Sequence, residues 1–325
     1  MRSIKSSTEV KSLMLRVLLL LLASVANLLL AGSSVHTQQS SPVSQHKSPQ
    51  SAQTGTQPAT DASSEKLIAA SLGGKTLPFR LKLPSDYATS SRRYPVLYLL
   101  HGLQGDENDW WTRSRLSEYA ARYHLIIVMP GVGDSWYANS ATDERARYED
   151  VIVNDLIPFV DSHYRTMACR EGRAIAGLSM GGLGAIKFAL RYPQLFVFAG
   201  SFSGAFGVPL TARLGKKPGP KMLNELHAVF GDDGSRTRLD NDVFRLLGQP
   251  LAKGTELPYL YVSVGDSDPL PQVSESNPRL NDALRVRKVK SEYHVRPGTH
   301  DWHFWDSEIN IMLVRLSDFI PQMRS

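Results

Sequence analysis

Two short runs along the chain, Val96-Leu-Tyr-Leu-Leu100 and Leu125-Ile-Ile-Val-Met129, contain no polar position. A strand with one wet face alternates apolar and polar residues, whereas a strand covered on both faces does not, and the latter belongs in a parallel sheet. Similar runs predict strands at residues 174–176, 196–201, 259–264 and 292–295, with helices between them at 148–164, 181–191 and 303–320. Alternating strands and helices predict an α/β architecture, a doubly wound and mostly parallel sheet with helices on both faces. Its ligand sites lie beyond the carboxyl ends of the strands. Ahead of this series, residues 67–72 and 77–83, split by Gly73-Gly74, read as a hairpin leading into the domain. Residues 205–257, rich in Gly, Pro and charge, break the rhythm and read as an insertion near the site.

The first 64 residues follow no such pattern. Residues 1–16 are polar and basic, residues 17–31 are almost unbroken apolar sequence, and Ala31-Gly32-Ser33-Ser34 are small. That order is the signature of a secretory signal, with cleavage after Ala26 or near Ser33. The apolar stretch is short for a stable membrane span. Residues 33–64 are Ser-, Gln-, Thr- and Pro-rich and nearly lack large apolar side chains, which predicts a disordered linker. The domain proper is expected over 65–325, and the protein is expected outside the cytoplasm.

Charge then narrows the partners. The net charge is +6, but Arg2, Lys5, Lys11 and Arg16 against Glu9 place half of it in the leader. What remains leaves no nucleic-acid footprint, and the basic run 285–290 is interrupted by Val286 and Val289. The single cysteine, Cys169, excludes an intrachain disulfide. Gly74-Lys75-Thr76 ends like a phosphate-binding loop, but Ala69 stands where that loop requires glycine.

The chemistry centres on Gly177-Leu178-Ser179-Met180-Gly181, a G-x-S-x-G sequence between an apolar strand and a helix. A sharp strand-to-helix turn there lifts a serine hydroxyl above the sheet, beside oriented N–H groups of the helix start. His101-Gly102-Leu103-Gln104-Gly105 follows the strand 96–100. This loop and the residue after the nucleophile supply oxyanion donors in this fold, which nominates the N–H groups of Leu103 and Met180. His101 reads as a brace for the loop. The chain order Ser, acid, His asks for a carboxylate at a later strand end. Gly265-Asp266-Ser267-Asp268 offers two, with Asp268 preferred and Asp266 as a turn-stabilising alternative. Of the three histidines that follow, His294 sits within a strand and His303 on a helix. His300 lies in the loop 297–302, the place from which a base reaches Ser179. Asp301 reads as a helix cap.

Together these elements resemble the esterase D family of α/β-hydrolases, which includes feruloyl and acetylxylan esterases, S-formylglutathione hydrolase and the antigen 85 mycolyltransferases. The resemblance is carried by Tyr94–Gly102, Trp110-Trp111, Ser135-Trp136-Tyr137, Gly177–Gly182, and Gly298-Thr-His-Asp-Trp302 with Trp305, and it spans residues 66–320. It implies a serine carboxylesterase with Ser179 as nucleophile, Asp268 as acid, His300 as base, and Leu103 and Met180 as oxyanion donors. It also implies no metal or organic cofactor. The substrate it implies is a small or polysaccharide-linked ester carrying an acetyl, feruloyl or other short acyl group. Acyl transfer and binding without catalysis are the alternatives. Trp110, Trp111, Trp136 and Tyr137 are expected as an aromatic rim for the acyl or phenolic group.

Overall fold

The computed structural model describes residues 62–213 and 219–324. The expected leader lies outside them, as does the expected linker except at its end, where Ala62 is buried and the first strand has already begun at Ser63.

Eight strands form one sheet: β1 (Ser63–Ala69), β2 (Lys75–Lys82), β3 (Val96–Leu100), β4 (Ile126–Pro130), β5 (Arg173–Leu178), β6 (Phe198–Phe202), β7 (Tyr259–Gly265) and β8 (Ser291–Arg296). Their order is β1-β2-β4-β3-β5-β6-β7-β8. The β1–β2 hairpin pairs antiparallel within itself and with β4, and every other pairing is parallel. The apolar runs behave as their composition requires. Val96, Tyr98 and Leu100 of β3 pack into one core and Leu97 and Leu99 into the other. In β4, Ile126 and Val128 share the first core and Ile127 and Met129 the second. Successive side chains point to opposite faces, so a strand buried on both must be apolar throughout.

Helices α1 (Asp109–Arg113) and α2 (Leu116–Ala120) flank the sheet, followed by α3 (Ile157–His163), α4 (Met180–Arg191), α5 (Pro220–Phe230), α6 (Arg236–Asp240), α7 (Val243–Leu247), α8 (Ser276–Val286) and α9 (Trp302–Phe319). Buried residues of α3, α4, α5, α7 and α8 belong to the first core, and those of α1, α2 and α9 to the second. The expected single helix over 148–164 is helical but contains a wide π-type turn at Val151–Leu156 ahead of α3. Pro158 supplies no N–H to the preceding turn, which accounts for the altered spacing there. The insertion contributes α5, α6 and α7.

Candidate active site

Parallel strands deliver their carboxyl ends to one edge of the sheet, and Ser179 stands at that edge, between β5 and α4. Its backbone sits at φ 51°, ψ −112°, a conformation that costs a non-glycine residue energy and that the neighbouring packing must enforce. The packing is visible at Gly181, where an added Cβ would come within 2.6 Å of the carbonyl oxygens of both Leu100 and His101. The start of α4 therefore rests directly on the end of β3. The Ser179 N–H donates to the Phe202 carbonyl (2.9 Å), and its own carbonyl accepts from Leu183 and Ala205 (3.0 and 3.1 Å).

His300 Nε2 lies 2.9 Å from Ser179 Oγ, and His300 Nδ1 lies 2.7 Å from Asp268 Oδ2. The Asp268 side chain has no exposure and that of His300 is 14% exposed, and Asp268 Oδ1 accepts from the Leu270 N–H (3.1 Å). The three residues the sequence nominated from separate loops thus form one hydrogen-bonded line.

Asp266 occupies a different role. It is exposed, and its Oδ1 accepts from Ser267 Oγ (2.9 Å) and the Gly298 N–H (3.3 Å). It ties the turn after β7 to the loop that carries His300. The two loops touch closely, since a Cβ at Gly265 would meet the Gly298 carbonyl oxygen at 2.4 Å. Asp301 caps α9 by accepting from the Phe304 N–H (3.0 Å). His303 is exposed on that helix, and His294 pairs with Glu292 (3.2 Å) in β8.

His101 is buried, and its ring bridges two loops. Nδ1 donates to the Gly102 carbonyl (2.7 Å) while Nε2 accepts from the Val132 N–H (3.2 Å). Burial lowers its pKa below the usual histidine value, so the ring is neutral, as that pair of bonds requires. Beyond it, Leu103 lines the same cavity as Ser179. Among the described residues, no group accepts a hydrogen bond from the N–H of Leu103 or Met180.

Ser179 and His300 open into a cavity of about 1080 Å³, roomy enough for a ligand far larger than an acetyl group. The expected aromatic rim needs correction. Trp136 lines the cavity, held at φ 56° with its ring against Phe230 of α5. Trp110 does not: it is 1% exposed, donates from Nε1 to the Leu100 carbonyl (2.9 Å), and packs edge-on against Phe202 and Trp302. Tyr137 is fully buried and donates to the His101 carbonyl (3.1 Å); burial raises its pKa further. Trp111 is half-buried against the second core and is not part of the cavity wall. Adjacent residues on a helix point apart, and a tight turn sends neighbours in opposite directions, so the paired aromatics could not all face one ligand.

In their place the wall carries Trp302 and Trp305, with Arg113, and with Val208, Met222 and Leu226 from the insertion. Trp305 meets the His300 ring edge-on (centroids 5.0 Å apart). A signal for the tryptophans was present, since Trp302 follows His300 by two positions. For the insertion residues there was none, because only the path of the chain brings them over Ser179.

Known proteins share this sequence pattern and fold. The family model named Esterase matches residues 69–316. An acetyl esterase from Caldicellulosiruptor saccharolyticus is 30% identical over 221 residues, 67% of this chain and 82% of that protein. The substrate-bound structure of FphF, a fluorophosphonate-binding serine hydrolase of Staphylococcus aureus, superposes with a TM-score of 0.68. It is 28% identical and covers 79% of this chain and 98% of that one. A ferulic acid esterase shares the fold at a TM-score of 0.66 and 23% identity, covering 80% of this chain and 98% of its own. The chain belongs to the Esterase family: it is an α/β-hydrolase whose activity is the hydrolysis of carboxylic esters.

Proposed function

We propose that this protein is an exported serine esterase that removes acetyl, feruloyl or similar acyl groups from small or polysaccharide-linked alcohols through an acyl-enzyme on Ser179. The observation that carries the reading is the continuous line Ser179 Oγ, His300, Asp268 at the floor of a large cavity. The Ser179 hydroxyl donates to His300 Nε2, and Nδ1–H donates to the buried Asp268 carboxylate. As Oγ attacks the ester carbonyl, its proton passes to Nε2, and Asp268 stabilises the imidazolium that results. The oxygen of the tetrahedral intermediate becomes negative, and the N–H groups of Leu103 and Met180 are the donors proposed to receive it. The imidazolium then protonates the departing alcohol. Water, deprotonated by the same Nε2, releases the acid in the second half-reaction.

The related acetyl esterase supports a short acyl group, and the leader-like first 32 residues support export. The decisive measurement is hydrolysis of p-nitrophenyl acetate, butyrate and palmitate and of methyl ferulate, by the wild-type chain and by Ser179→Ala. Loss of a triad nucleophile costs about 10⁴–10⁶ in rate. A folded Ser179→Ala protein that keeps more than a few per cent of turnover would refute the assignment. Product analysis with and without an added alcohol separates hydrolysis from acyl transfer.

A further inference from the structure

Among the described residues, one cation faces the cavity that holds Ser179 and His300 with no hydrogen-bond acceptor in reach. Arg113, at the end of α1, lines the same cavity as Ser179 and His300, and its side chain is 56% exposed. Its guanidinium lies 5.0 Å over the centroid of the Trp302 ring. Its nearest carboxylate oxygen, Oδ1 of Asp109, is 3.8 Å from Nη1, beyond hydrogen-bond reach. Among the described residues its N–H donors bond to nothing. A planar fork held by an aromatic face, with free donors turned to a cavity, is the geometry that receives a carboxylate.

The position of Arg113 also says which half of an ester it meets. Trp302 packs edge-on against Trp305 (5.4 Å), which packs edge-on against His300 (5.0 Å). Arg113 therefore stands on the His300 side of the cavity. On the reading above, His300 hands its proton to the departing oxygen, so the alcohol half of the substrate lies on that side. The insertion wall of Val208, Met222 and Leu226 is apolar and suits an acyl group instead. Among the described residues, the other charged or titratable groups of the cavity wall are Asp109, whose pKa is raised chiefly by burial and drawn down in part by Arg113, Asp301, engaged as a helix cap, and His303.

We propose that Arg113, stacked on Trp302, is a specificity residue that reads a carboxylate on the alcohol half of the ester. The preferred substrates are then acyl esters of hydroxy acids or acidic sugars. This inference rests on the proposed role of His300.

The test compares 4-acetoxybenzoate with its methyl ester, which share the acyl group and differ in the charge of the leaving alcohol. The ratio of their kcat/KM values removes any general loss of activity. In Arg113→Gln this ratio should fall at least tenfold, chiefly through KM of the anionic ester, and Arg113→Lys should retain part of it. Added NaCl should lower the ratio for the wild-type chain and not for Arg113→Gln, because the attraction between exposed charges is screened. An unchanged ratio in Arg113→Gln, or a salt response that survives the substitution, would overturn the proposal. Should Arg113→Gln fail to fold, a salt-independent wild-type ratio would overturn it equally. Inertness of both esters together with p-nitrophenyl acetate would instead overturn the esterase reading, and the subsite with it.

Discussion

At the scale of single residues, two aspartates two positions apart do different work because their side chains leave the turn in opposite directions. Asp268 is buried against His300, and Asp266 is exposed and bonds to the Gly298 N–H. If Asp268 is the triad acid, Asp268→Asn keeps the shape but loses the charge that fixes the imidazole tautomer, which costs about 10⁴ in kcat in serine proteases. Asp266→Asn retains an acceptor for Gly298 and should lose less than about tenfold, roughly 1.4 kcal/mol of transition-state stabilisation. Steady-state kinetics on p-nitrophenyl acetate, with melting temperatures as controls, distinguishes them. A crippled Asp266→Asn beside a near-normal Asp268→Asn would reverse the assignment. The sequence could only rank the two carboxylates of Gly265–Asp268, because the path of the turn decides which of them faces inward.

At the scale of elements, the loop 135–137 holds Trp136 and Tyr137 at consecutive positive φ angles, 56° and 53°. Such a conformation persists only where several contacts enforce it. Tyr137 is tied at its hydroxyl to His101 and at its N–H to Ser135 Oγ (3.2 Å), and its carbonyl accepts from Lys187 Nζ. Lys187, on α4, is itself buried. It pairs with Glu149 (3.0 Å) and donates to Asn241 Oδ1 between α6 and α7 (2.8 Å). Burial lowers the Lys187 pKa. Burial also opposes ionisation of Glu149, but the charges of Lys187 and Arg191 outweigh it and hold that carboxyl below its usual value. One ammonium thus joins the helix behind Ser179, the loop bearing Trp136 and the insertion. Lys187→Met should destabilise by about 3 kcal/mol in urea unfolding, somewhat tempered because Glu149 keeps Arg191 (2.9 Å). Combining it with Glu149→Leu should recover part of that loss, since the buried carboxylate is removed, but not all of it, since Arg191 and the Tyr192 hydroxyl then lose the same partner. A double variant no more stable than the single one would show that the ion pair itself, not the orphaned carboxylate, supplies the stability.

For the whole molecule, the described domain begins with a strand paired to its neighbour along its full length. β1 matches β2 from Ser63–Leu81 to Ala69–Lys75, with Leu67 and Ala69 buried. A chain starting at Ala62 should therefore keep the melting temperature and have kcat/KM within about twofold of the full chain, whereas one starting at Ala70 uncovers the core edge and melts lower. On the proposed export, material recovered outside the cytoplasm should begin between residues 27 and 37, as read by N-terminal sequencing. A terminus at Met1 on membrane-bound protein would indicate an anchor in place of a cleaved leader.

The fold class, the strand series and the turn at Ser179 were legible because each depends on local sequence. Periodicity reports how many faces of a strand are covered, and G-x-S-x-G reports a turn that only small residues allow. The placement of His300 beside Ser179 matches what chain order and its loop predict. The walls of the cavity were not. Trp110 and Tyr137 are as aromatic as Trp136, yet Trp110 is buried against Phe202 and Trp302 and Tyr137 against His101 and α4, while Met222 and Leu226 reach the cavity from an insertion with no recognisable pattern. Which side chain meets a ligand depends on the directions in which distant segments cross, and burial by a distant partner leaves no mark on a residue's own neighbours in sequence. The stacking of Arg113 on Trp302, 189 positions later in the chain, is decided at that level alone.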